Sequence, residues 1–175
     1  MNYNELSKEA YGIAREQGFH DEALSSEHFL ALIFSEVGEA IDAHRLNKGA
    51  APLQVSKEDP AFSKRYEYVV KGSIEEEFAD IMIRLFDLSG VLMIDFDRMQ
   101  PCRYYRAFER FSFTENAFAF IKGLSKETIC VEKRIMFGLE YMENWSRQMG
   151  IDLDLHVAMK MHYNRLRTYK HQKAY

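Results

Sequence analysis

Apolar residues recur at helical spacing through most of this chain. Tyr3, Leu6, Ala10, Ile13 and Ala14 predict a helix over 2–18, stopped by Gly18. After a short connection, Ser25 or Ser26 is placed to cap a second helix over about 27–46, which dissolves in Asn47, Lys48 and Gly49. Residues 49–69 are polar, hold Pro52 and Pro60, and carry Lys57, Lys64 and Arg65, with Lys48 just ahead, so a loop or short-helix lid is expected there. A third helix is expected over about 73–93. Two more follow over 114–124 and 128–149, where Phe118, Ile121, Ile135, Leu139, Met142 and Trp145 are expected in the core or a subunit interface. Gly150 breaks the pattern, and a final helix runs over about 154–169.

Two of these helices violate the pattern they otherwise follow. In FSEVGEAIDAH, residues 34–44, an advance of about 100° per residue puts Phe29, Leu32, Ile33, Ala40 and Ala43 within roughly 60° of Glu36. Glu36 therefore stands inside the apolar stripe, with Glu39 beside it. The segment EEEFADIMIRLFD, residues 75–87, repeats the anomaly. Glu77, Asp80, Arg84 and Asp87 form one charged stripe on a helix otherwise covered by Phe78, Ile81, Met82, Leu85, Phe86 and Leu88. Desolvating an ionised carboxylate costs several kcal/mol unless something compensates it. If the two helices face each other, Glu36, Glu39, Glu77 and Asp80 meet, and a cation is the simplest compensation. An all-oxygen set suits magnesium first, with manganese as substitute. None of the six histidines stands in a Glu-x-x-His or His-Glu-x-x-His arrangement, which argues against a di-iron bundle and a zinc peptidase.

Composition narrows the class. A length of 175 residues suits one domain over 1–175, and three Pro with nine Gly favour an all-α chain. The net charge of -4, with both signs interleaved, offers no broad basic surface, so no nucleic-acid polymer is expected as partner. Cys102 and Cys130 lack metal-ligand spacing and suggest a reducing compartment. Neither a signal-peptide pattern nor an apolar run of roughly eighteen residues occurs, so a soluble, cytoplasmic protein without a membrane partner is expected. The aromatic content and the nearly all-apolar third helix predict a homodimer or homotetramer.

Magnesium held by carboxylates commonly recruits phosphate oxygens, and phosphates need cationic partners. Lys160, Asn164 and Arg167 share a face of the last helix, flanked by Lys170, and are the candidate substrate ligands. Arg84 either bonds phosphate or pairs structurally with Asp87 or Glu77. Residues 95–112 are aromatic and basic, and form either a connection packed on the bundle or a cover for the substrate pocket.

These motifs resemble the all-alpha nucleoside triphosphate pyrophosphatases, the MazG-like group that includes the dimeric dUTPases. The likeness lies in Glu36-Val-Gly-Glu39, in Glu77-Phe-Ala-Asp80 with their flanks, and in the Lys160, Asn164, Arg167, Lys170 spacing. It covers 15–93 and 153–171, leaving an atypical helical segment at about 95–150. It implies a MazG-like helical bundle completed by oligomerisation. The four carboxylates would bind magnesium, and water would attack the α-phosphorus of a nucleoside triphosphate to give the monophosphate and pyrophosphate. One carboxylate must orient or deprotonate that water; Glu77 and its neighbour Glu76 are candidates beside Glu36, Glu39 and Asp80, and sequence does not separate them. The alternatives are a phosphoribosyl-ATP pyrophosphohydrolase-like or other phosphohydrolase, and a non-catalytic helical nucleotide-binding or interaction protein.

Overall fold

The computed structural model describes residues 1–51, 56–102 and 106–168. Among them are seven α-helices, two one-turn 3₁₀ helices and no strand: α1 (Tyr3–Glu16), α2 (Ser26–Arg45), α3 (Phe62–Val69), α4 (Ile74–Val91), α5 (Phe113–Leu124), α6 (Val131–Met149) and α7 (Leu153–Arg165).

Local chemistry sets most of the ends. Ser25 accepts the N–H of His28 at 3.3 Å to cap α2, and Ser73 accepts that of Glu76 at 3.2 Å to cap α4. Three glutamates follow directly in the first turn of α4, where the positive end of the helix dipole favours them. A reciprocal capping box between Ser112 and Glu115 starts α5. Gly150, at φ +72°, ends α6 in the left-handed region.

The centre of the bundle is α4, which packs against α1, α2, α6 and α7. Phe78, Ala79, Ile81, Met82, Leu85, Phe86 and Leu88 have no exposed surface at all. Burying each of the large side chains is worth about 1.5–3 kcal/mol, so this helix anchors the fold. Its approach to α1 needs Gly90, where an added Cβ would lie 2.4 Å from Tyr11 Cβ. At the same crossing Ser7 Oγ donates to the Phe86 carbonyl at 3.0 Å. A smaller cluster of Phe62, Tyr66, Val70, Met159 and Tyr163 fastens α3 to α7.

One expectation changes, that of the last helix, and two open ones narrow. Part of the polar 49–69 stretch is helical, because Phe62 and Tyr66 recur at helical spacing and are buried on α7. The last helix stops at Arg165, so Arg167 lies beyond it, not on its face. Phe118 is 68% exposed, whereas Ile135, Leu139, Met142 and Trp145 are buried in the core. Over 95–112, Phe96 packs inward against Tyr3 and Phe108 against Tyr141 and Trp145, while Phe111 is exposed beneath the Arg106 guanidinium. No described residue of that segment lines the cavity described next.

Candidate metal and phosphate site

Side by side, α2 and α4 turn their charged stripes toward each other. One carboxylate oxygen from each of Glu36, Glu39 and Glu77 lies within 4.8 Å of the other two. Glu36 and Glu77 are buried at 5% exposure, and Glu39 is exposed. Arg84 Nε donates to Glu36 Oε1 at 2.5 Å, so Arg84 pairs with Glu36 across the helices and not with Asp87 or Glu77. That guanidinium does not offset the whole cluster. Burial, and then the charges of Asp80, Glu76, Glu39 and Glu36, push the Glu77 carboxyl up to about 8. Three oxygen donors this close, offset by the single guanidinium of Arg84, are a fitting set for a hard divalent cation. The cluster can chelate one.

Asp80 lies outside this triad and is taken by a different partner. Lys160 Nζ reaches from α7 to Asp80 Oδ2 at 2.7 Å and Glu76 Oε1 at 2.5 Å. Burial raises the Asp80 carboxyl to about 6, against the downward pull of Lys160. On Lys160 burial works to lower the ammonium, but Asp80 and Glu76 more than offset it and hold it above its ordinary value. Glu76 also accepts the N–H of Gly72, so both its oxygens are engaged. The left-handed φ of Gly72, +72°, turns that N–H toward the start of α4.

These groups border one cavity of about 350 Å³ between α1, α2, α4 and α7. Its acidic wall is the carboxylate set just described. Lys71, Arg84, Lys160 and Arg167 bring positive charge to the same space. The remaining wall is apolar, with Ile13, Phe19, Phe29, Leu32 and Ile83.

Of the residues expected to bind substrate, Lys160 is buried as the counter-ion of Asp80 and Glu76. Asn164 lines the cavity with a buried Oδ1 that meets no donor among the described residues. Arg167 reaches the cavity from beyond the end of α7, its Cζ 5.7 Å from the centre of the Tyr163 ring. In the orientation that satisfies both ends of its amide, Gln17 donates to the carbonyls of Arg167 and Thr168 at 3.2 and 3.0 Å. Lys170 lies outside the described residues.

Sequence reasoning passed over Lys71, His28, His20 and Asp87. Asp87 carried a signal, since it continues the charged stripe of α4. The other three sit in or beside connections and at a helix start, where periodicity says nothing about direction.

No helix among the described residues is long and apolar enough to cross a membrane. No family model matches the sequence, and no curated protein or solved structure matches it.

Proposed function

We propose that the protein is a magnesium-dependent hydrolase that cleaves a nucleoside triphosphate to the monophosphate and pyrophosphate, in the manner of the MazG-like pyrophosphatases its motifs resemble. One observation carries this: a cation-ready glutamate triad, a ring of lysine and arginine, and an apolar wall share a single cavity. That is the sequence of environments a metal-bound polyphosphate, its flanking charge and a heterocycle require.

In this reading Glu36, Glu39 and Glu77 hold magnesium, for which manganese substitutes. A bound ion would neutralise phosphate charge and make water more acidic. Arg84 orients Glu36 through the bond at 2.5 Å and turns its remaining donors to phosphate. Arg167 supplies a second guanidinium, and Lys71 an ammonium, to the same cavity. Asp80 is left to orient and deprotonate the attacking water, because Lys160 fixes its carboxylate in place. Glu76, bonded by both Lys160 and Gly72, positions Lys160 and is a poor candidate for the base.

A magnesium-dependent hydrolysis panel over ribo- and deoxyribonucleoside triphosphates, with products identified, tests the proposal. Pyrophosphate with monophosphate is the expected outcome. Orthophosphate as the sole inorganic product would assign another phosphohydrolase. Nucleotide binding without turnover, even with manganese, would assign a non-catalytic binding protein. The active species is further proposed to be a homodimer or homotetramer of a single-domain chain in the cytoplasm; sedimentation of a lone 20.6 kDa species at micromolar concentration would overturn the assembly.

A further inference from the structure

At the end of the α4 stripe away from the glutamates, Asp87 lines the same cavity. His20 Nε2 donates to its Oδ1 at 2.7 Å, and both side chains are largely buried, at 10% and 14% exposure. The His20 ring is itself fixed, stacked 5.7 Å from the Phe29 ring and 4.9 Å from that of Tyr11. No other hydrogen bond to Asp87 exists among the described residues. A carboxylate that lines the cavity with one oxygen bonded to His20, near an Arg84 guanidinium whose Nε is taken by Glu36, is an acceptor with room for a further donor.

Resting on the function proposed above, we infer that Asp87, oriented by His20, selects the nucleobase and favours bases that carry an exocyclic amino group over uracil and thymine. Register supports the placement. Glu77 and Asp87 are ten residues apart on one helix, which separates them by about 15 Å along its axis. Phosphates held at the Glu77 end therefore send the sugar and base along the stripe toward Asp87. Phe29, Leu32 and Ile83 supply the apolar faces between which a flat ring sits. A carboxylate only accepts hydrogen bonds, so its match is an N–H edge. Cytosine, adenine and guanine present amino groups, whereas uracil and thymine offer only the ring N3–H, flanked on both sides by carbonyl oxygens whose lone pairs meet those of the carboxylate. The poorer pairing of the Asp87 oxygen that His20 leaves unbonded provides the discrimination.

Calorimetric binding of CMP, AMP, GMP and UMP to the full chain with magnesium tests this without requiring turnover. At least one amino-bearing nucleotide is expected to bind about tenfold or more tightly than UMP. Asp87→Asn keeps the shape but offers an amide donor to O4, and should shrink that ratio to about threefold or less. His20→Gln keeps a donor to Asp87 and should preserve the preference. Equal affinity for UMP and the others, or an unchanged ratio in Asp87→Asn, overturns the inference while leaving the pyrophosphatase reading intact. Absence of binding by every nucleotide also overturns the inference, while the pyrophosphatase reading is judged by the triphosphate hydrolysis panel.

Discussion

The two halves of the bundle bury polar groups in opposite ways. Around α5 and α6, several buried polar side chains bond neutral backbone carbonyls close at hand. Tyr141 Oη donates to the Asn116 carbonyl at 2.8 Å, Asn116 Nδ2 to the Phe108 carbonyl at 3.1 Å, and Ser146 Oγ to the Met142 carbonyl at 2.7 Å. Between them Phe108, Phe113, Tyr141 and Trp145 pack ring on ring. Around α2, α4 and α7 the buried groups are charged, crowded with like charges, and only partly compensated. Neutral satisfied bonds contribute modestly to stability, while crowded carboxylates cost stability until a cation arrives. The first half therefore adds to the fold without electrostatic cost, and the second carries a costly charged site on one face of the helix that anchors the fold.

The contrast can be broken most strongly at Trp145. Trp145→Ala should cost about 3–5 kcal/mol, and the loss should be the same with or without magnesium and across pH 5–8. Denaturant unfolding under the four conditions checks it. A loss that varies with magnesium would mean that the two halves are not energetically separate.

Lys160→Met should cost about 3 kcal/mol near pH 8, because it strands Asp80 and Glu76 without their cation. Near pH 5, below the raised value of about 6, Asp80 takes up a proton and the loss should shrink. The same denaturant series reads it. An equal loss at both pH values would place Lys160 with the neutral core instead.

Arg167→Ala tests the site with little effect on the fold. Turnover efficiency should fall roughly tenfold or more, equivalent to about 1.4 kcal/mol, with the melting temperature near wild type. Arg167→Lys should recover only part of that, since lysine keeps the charge but not the two-pronged geometry. Steady-state kinetics equal to wild type would remove Arg167 from phosphate binding.

The last effect is the most specific. Glu77 and Asp80 hold protons more tightly in the folded chain than in the unfolded one, with values raised to about 8 and about 6. Their contribution to stability is complete below the ordinary carboxylate range and is lost as pH rises through about 6 and then about 8. In chelator, melting between pH 6 and 8.5 should therefore reveal a decline of about 1–2 kcal/mol that saturating magnesium reverses. Glu77→Gln should flatten that slope and weaken magnesium binding. A slope unchanged in the variant would assign the proton to another group.

Much of the architecture was written locally. The spacing of apolar residues marks the helices, Ser25 caps α2, and Gly150 stops α6, because helix periodicity and caps depend on residues within one turn of each other. The placement of Glu36 and Glu77 in buried surroundings was legible for the same reason, since a face is a local property of a helix. The choice of partners was not. Lys160 stands eighty residues from Asp80, and nothing in its own segment distinguishes an ammonium gripping phosphate from one compensating a carboxylate. Arg84 had charged neighbours on its own helix, yet the crossing of α2 over α4 brought it to Glu36. His20 lies just past the end of α1, and only the packing of that helix on α4 brings its ring to Asp87. The sequence by itself determined which surfaces carry charge into the interior. The crossings and end points of the helices decided which charge meets which, because electrostatic pairing falls off over a few ångströms and is fixed by tertiary distance, not by register.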